Sequence, residues 1–148
     1  MLGTTDATRA VNVIAGNTRV MRFEPNALGP NILAGHSNNS VGAWLGQTVG
    51  GGGGPGSSCY EPSTGTFVRS CGNWADGSFA TVGGGNSNHA TEEYAVVAGG
   101  YINTAQGNYS AVGGGSDNTA SGESSTVVGG AYNLASGVYS TVLGGLRN

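Results

Sequence analysis

Residues 120–148 have the sequence ASGESSTVVGGAYNLASGVYSTVLGGLRN, which holds two successive copies of a 15-residue unit. The unit occurs five times from Ala75 onwards, and the last copy lacks only its final residue. Every copy has Ala first, Val eighth, Gly tenth and eleventh, and Asn fourteenth. A fixed short period is the signature of a solenoid, in which each copy forms one coil stacked on its neighbours. The repeat therefore predicts that function belongs to a surface or an assembly rather than to an enclosed pocket.

Each unit is predicted to form strands. Fifteen residues are too few for two helices and a turn, and no copy has apolar residues at helical spacing. Short β-type segments such as Tyr139–Val142 alternate instead, so we predict an all-β parallel β-solenoid, or β-roll, with two strands of four or five residues per coil. The Ala and Val positions should point inward as ladders, and the Gly pair should permit positive φ or close backbone approach at a corner. The Val ladder consists of Val82, Val97, Val112, Val127 and Val142.

The Asn position is predicted to form a structural corner of the coil. Asn tolerates the left-handed backbone region, and its side-chain amide can also hydrogen-bond neighbouring backbone. A stacked Asn ladder with a functional role is the alternative, and the structural corner is favoured over it. The position is occupied by Asn88, Asn103, Asn118 and Asn133, with Asn148 in the last copy.

Weaker copies upstream divide the chain into four segments. Residues 32–38 match half of a unit, and residues 48–52 match residues 81–85. Val49 and Val82 are 33 residues apart, which is one period plus 18, so an insertion lies between them. We predict an N-terminal arm and β-hairpin over 1–24, turning at Gly16-Asn17. Two degenerate coils over 25–52, an extruded loop over 53–72 and five regular coils over 73–148 follow, which makes seven coils in all.

The extruded loop is the first candidate for ligand contact. Cys59 and Cys71 lie near its two ends, and a disulfide between them would close it and contribute about 3 kcal/mol by the loop-entropy model. Two reduced thiols are the alternative. Tyr and Arg are favoured at binding hot spots, and the loop is richer in contact-forming side chains than any coil. The candidate contact residues are Tyr60, Glu61, Phe67 and Arg69.

An aromatic column is the candidate subunit interface. One position of the unit is aromatic in four of the five copies and is Ser124 in the other. We expect this column on the face opposite the Val ladder, where ring stacking could dock it against another subunit, because burial inside a coil is thin. A solvent-facing ladder on a monomer is the alternative. The column consists of Phe79, Tyr94, Tyr109 and Tyr139.

Composition and motifs argue against several functional classes. The chain has no Lys and five scattered Arg, so it shows neither a basic stripe for nucleic acid nor a polybasic membrane patch. It has no apolar run long enough to insert into a membrane and no visible signal peptide. His36 and His89 lack partners at metal-ligand spacing, and the neighbouring Glu92 and Glu93 would point to opposite faces of a strand. We therefore predict no enzyme, no metal and no cofactor.

The tandem form x-Tyr-Ser-Thr-Val-x-Gly-Gly-x-x-Asn-x-Ala-Ser-Gly resembles the head repeats of trimeric autotransporter adhesins, the YadA-like β-roll family, and related repeats of phage tail fibres. The resemblance covers residues 75–148 strongly and about another quarter of the chain weakly. It implies a left-handed parallel β-roll in which three identical chains pack side by side around a threefold axis. The period of 15 differs from the commoner 14 of the family, and the cysteine-containing loop, the missing heptad stalk and the missing membrane anchor also depart from its pattern.

These features predict a non-enzymatic, homotrimeric fibrous head of adhesin or tail-fibre type. It would act outside the cell, on a cell or virion surface, and bind a glycan or protein ligand. The alternative is a structural filament assembled by end-to-end stacking of coils. A third possibility, an ice-binding solenoid, is disfavoured because its Thr array is incomplete: Thr81, Val96, Ala111, Thr126 and Thr141. Besides the loop, the expected ligand contacts are the variable corner pairs 86–87, 101–102, 116–117, 131–132 and 146–147.

Overall fold

A computed structural model describes residues 9–26, 28–54, 59–61, 66–68 and 71–148, with the backbone alone described for 59–61 and 66–68. Every regular element in these ranges is a strand. The first seven are β1 (Val11–Ala15), β2 (Thr18–Glu24), β3 (Asn31–Ala34), β4 (Ser40–Val41), β5 (Thr48–Val49), β6 (Cys59–Glu61) and β7 (Thr66–Val68). The remaining ten are β8 (Trp74–Ala75), β9 (Thr81–Val82), β10 (His89–Ala90), β11 (Val96–Val97), β12 (Thr104–Ala105), β13 (Ala111–Val112), β14 (Thr119–Ala120), β15 (Thr126–Val127), β16 (Leu134–Ala135) and β17 (Thr141–Val142).

The strands stack into two sheets that run along the solenoid. One sheet has nine strands in the order β1-β2-β3-β5-β9-β11-β13-β15-β17, and the other has six in the order β16-β14-β12-β10-β8-β4. Equivalent residues of successive coils pair in parallel, as Val97 does with Val82 and Val112. A line of parallel bridges from Asn86 to Leu146 adds a third side to the regular coils. The prediction of an all-β solenoid with coils of about 15 residues is confirmed, although most strands have two residues rather than four or five.

The core contains small apolar side chains. Adjacent strand residues point to opposite faces, so in β13 Val112 is buried while Ala111 is half-buried. The inward orientation of Val and Ala is thereby confirmed, with Val142 of the last coil only partly buried. The buried core residues of the regular coils are Ala75, Ala80, Val82, Ala90, Ala95, Val97, Ala105, Val112, Ala120, Val127 and Ala135.

Each Asn closes a corner through its side chain. The Nδ2 of Asn103 donates to the carbonyls of Gly99 and Gly115, both at 2.9 Å. Its backbone N–H donates to Oδ1 of Asn88 at 3.0 Å, so the amides also form a ladder. Of the two roles considered for Asn, the structure shows the side-chain hydrogen bonds to neighbouring backbone, and the left-handed conformation is adopted by the residue before it, with φ of 54° at Ile102. The same Asn side chains therefore form both the structural corner and the ladder.

An antiparallel hairpin covers the first edge of the larger sheet. β1 and β2 pair around Gly16 and Asn17, both with positive φ, as a two-residue hairpin turn of type I′ requires. β2 then pairs antiparallel with β3, which begins the solenoid. Seven strands of the larger sheet but six of the smaller belong to coils, so there are about six complete coils rather than the predicted seven. The difference arises because β3 directly follows the hairpin, so no strand of the smaller sheet precedes it to complete a coil.

The insertion leaves the solenoid between β5 and β8 without interrupting its ladders. The N–H of Gly54 donates to the carbonyl of Cys71 at 3.1 Å, which closes the base of the inserted segment. Within it, β6 and β7 pair antiparallel. The N–H of Asn73 donates to Oδ1 of Asn39 at 2.8 Å, so the Asn ladder continues across the insertion.

Candidate ligand-binding surface

Two adjoining depressions are lined by residues of the smaller sheet and of the corner that follows it. The first, of about 290 Å³, is lined by Trp74, Asp76, His89, Thr91, Glu92, Thr104 and Gln106. The second, of about 580 Å³, is lined by Trp44, Asp76, Gly77, Ser78, Thr91, Glu92, Glu93 and Asn108. Because they share Asp76, Thr91 and Glu92, we treat the two depressions together as one groove. We call it the tryptophan groove, since both tryptophans of the chain line it.

Trp44 lies where one coil has an extra residue. Val41 pairs with Ala75, and Val49 pairs with Val82. Val41 and Val49 are eight positions apart in the chain, whereas Ala75 and Val82 are seven apart. The indole is 59% exposed. The Trp44 carbonyl is held by the side-chain amides of Asn31 at 3.2 Å and Asn26 at 3.4 Å. The backbone at this corner is thus anchored while the ring projects from the coil.

Trp74 and Asp76 are placed by strand β8 and its first corner residue. The Trp74 ring meets the His89 ring of the next coil edge-on, with centroids 5.9 Å apart and planes at 61°. The Asp76 carboxylate lies directly against the Cα of Gly42, where any Cβ would overlap Oδ1. Glycine at position 42 is therefore what allows this carboxylate its position in the groove.

The groove is acidic. Asp76, Glu92 and Glu93 line it, and none of the arginines described by the structure does. The prediction that Glu92 and Glu93 point to opposite faces of a strand is wrong, because both lie in the turn between β10 and β11. The chain has no lysine. Ring faces, carboxylates and the polar groups of Thr91 and Gln106 can together bind an apolar group that carries positive charge or hydrogen-bond donors.

The aromatic column stacks on itself. Phe79 and Tyr94 have ring centroids 5.2 Å apart, and Tyr94 and Tyr109 have centroids 5.1 Å apart, with nearly parallel planes. The rings lie at the corner that joins the two sheets, not on the face opposite the Val ladder, because their backbone is left-handed. Tyr139 shares this backbone but is separated from the stack by Ser124. Since the stacked faces contact one another, edges and hydroxyls remain for a partner subunit, and the interface stays a prediction.

The loop candidates lie mostly outside the described part of the chain. No side chain is described for Cys59, Tyr60, Glu61 or Phe67, and Arg69 is not described at all. Cys71 is buried and disulfide-bonded. Its predicted pairing with Cys59, and ligand contact by the loop, stay predictions.

The variable corner pairs form the third side of the regular coils. Their first members lie on the line of bridges, and their second members have positive φ. The side chains differ from coil to coil, and at the end of the line the Arg147 guanidinium lies 5.7 Å from the centre of the Tyr132 ring. This side therefore offers a varied surface on a regular backbone.

Sequence reasoning missed the tryptophan groove. The available signal was the extra residue between Val41 and Val49, which shows only once the two coils are aligned. In the described ranges, no group of three or more His, Cys, Asp and Glu could hold a metal ion. Those ranges also contain no helix that is long and apolar enough to cross a membrane.

No protein-family model and no curated protein matches the chain. The architecture, a β-solenoid of parallel coils, is compatible with a β-roll repeat.

Proposed function

We propose that the chain is a non-enzymatic attachment module, a homotrimeric fibrous head of adhesin or tail-fibre type that acts on a cell or virion surface. The observation that carries the proposal is the separation of a constant interior from a variable exterior. Val, Ala and Asn recur inside every regular coil. The outward residue that begins each strand of the smaller sheet differs between coils, being Trp74 in β8 and Leu134 in β16. A rigid scaffold with varied outward side chains suits recognition of an extended surface.

The thin interior supports a trimer. In each regular coil the inward positions hold one Val, one Ala and one further Ala or Ser, which is little apolar burial for 15 ordered residues. Several large apolar side chains are exposed in the last two coils instead: Val128, Tyr132, Leu134, Val138, Leu143 and Leu146. Exposed apolar side chains of this size are candidates for contact with another chain. Packing three chains side by side would cover some of them.

Native mass spectrometry and light scattering test the assembly. We expect a species of three times 14.6 kDa at micromolar concentration. A folded monomer under these conditions would refute the trimer. Electron microscopy separates the proposal from the filament alternative, because a head gives short discrete rods and a filament gives long fibres.

A loop-deletion variant tests attachment. Replacing residues 55–70 with a short turn should leave the trimer folded, because the base at Gly54 and Cys71 and the Asn39–Asn73 contact lie outside the deleted segment. Attachment of labelled trimer to target cells should weaken, since three loops at one level of the assembly act with avidity. Unchanged attachment would remove the loop from the binding role.

A further inference from the structure

The geometry points to an alkylammonium-binding site in the tryptophan groove, with the indoles of Trp44 and Trp74 as aromatic walls and Asp76 and Glu92 as counter-charges. The ligand group is the ammonium of a lysine side chain or the quaternary ammonium of a choline head group. The inference rests on the proposed attachment function and names a ligand class for it.

The aromatic walls of the groove favour a cationic ligand. Indole is the strongest cation–π partner among side chains, and its attraction for a cation increases as water is excluded. Trp44 lies in the coil that has one extra residue and is 59% exposed. Trp74 is half-buried on the other depression. Each depression therefore has one indole in its wall, and Asp76 and Glu92 line both depressions.

The negative charge of the groove also favours a cationic ligand. Asp76 and Glu92 line both depressions, and Glu93 lines the larger one. Because Gly42 has no Cβ, the Asp76 carboxylate can lie directly against its Cα. No described arginine lines the groove to neutralise these groups, and the chain has no lysine. A cation is therefore attracted and an anionic ligand repelled. A neutral sugar could use the same rings and polar groups, but it would gain no net-charge attraction from the three carboxylates.

The two tryptophans provide a direct measurement, because the chain has no others and its indole fluorescence therefore reports on this groove. Choline chloride and Nα-acetyl-lysine amide are titrated against the protein at constant ionic strength. Each has an uncharged control of the same shape, 3,3-dimethylbutanol and Nα-acetyl-norleucine amide. We expect saturable changes with the ammonium compounds, dissociation constants on the order of millimolar and no saturation with the controls. The tighter-binding ammonium compound identifies the source.

Variants locate the site. Trp44→Ala should weaken binding about tenfold. Binding to this variant is measured by proton NMR of the ligand, because the variant has lost one of the two fluorescent indoles. Glu92→Gln should weaken it severalfold and reduce its salt dependence. Glu123→Gln is the matched control, because Glu123 is exposed and lies outside the groove. If Trp44→Ala does not fold by circular dichroism, Glu92→Gln decides alone.

Three results would overturn the inference. They are equal binding of the uncharged controls, saturation by neutral oligosaccharides alone, and equal weakening by Glu92→Gln and Glu123→Gln. These titrations follow the groove of the purified protein and do not depend on attachment to cells. A trimer that attaches to cells equally well with or without Trp44→Ala would keep the proposed function and reject the groove as its ligand site.

Discussion

At the residue scale, the Asn ladder shows how a buried polar group stabilises a coil with little apolar core. Asn103 is fully buried, donates both Nδ2 hydrogens to glycine carbonyls, and accepts from the N–H of Asn118 at 3.0 Å. Buried polar groups with all partners present specify a unique arrangement, whereas losing one partner leaves the others unsatisfied.

Asn103→Asp tests the ladder. The change removes both Nδ2 donors and places a carboxyl group in a fully buried corner, so the free energy of unfolding should fall by about 3 kcal/mol. Asn108→Asp is the control, because Asn108 is exposed. Urea unfolding followed by circular dichroism measures both variants. Equal losses would show that the buried amide has no special role.

At the element scale, the corner before each strand of the larger sheet sets two effects against each other. Tyr109 has φ of 59°, a conformation that costs roughly 1 kcal/mol for a residue with a Cβ. Its ring stacks on Tyr94, and such pairs contribute about 0.5–1.5 kcal/mol. The two effects nearly cancel at Tyr109, whereas Ser124 has φ of 54° at the same position and no ring to offset that cost.

Comparing Tyr109→Ala with Tyr109→Gly separates these effects. Both variants lose the stacked ring, but only Gly relieves the left-handed backbone. We expect the Ala variant to be less stable than the Gly variant by about 1 kcal/mol, measured by thermal or urea unfolding. A more stable Ala variant would contradict the left-handed corner.

At the scale of the whole molecule, the solenoid is a one-dimensional stack in which each coil contacts only its neighbours. Its stability is approximately a sum of coil and interface contributions, so a defect in a central coil acts on both sides. Val112 lies in the third of the five regular coils, and β13 pairs with both β11 and β15.

Val112→Asp should unfold the neighbouring coils, because it places an unpaired charge in the inward ladder. Val96→Asp is the matched control in the preceding coil, since Val96 faces outward in β11 and is 38% exposed. The melting temperature followed by circular dichroism should fall markedly for the first variant and little for the second. Wild-type behaviour of Val112→Asp would refute the inward ladder.

The sequence by itself determined the β-solenoid, its coil length and its inward Val and Ala residues. This was possible because every coil has the same neighbours, so the local period also describes the tertiary environment. The hairpin turn at Gly16-Asn17 was likewise visible, because it depends on residues adjacent in the chain.

Only the tertiary structure decided where side chains far apart in sequence meet. Trp44 and Glu92 line one depression because an extra residue in one coil projects the indole beside later coils, and a repeat pattern averages out such an irregularity. The left-handed corner decided where the aromatic column lies, and stacking decided which partners the Asn amides find. These outcomes depend on corner geometry and coil-to-coil contacts, which the identity of the repeated residues does not specify.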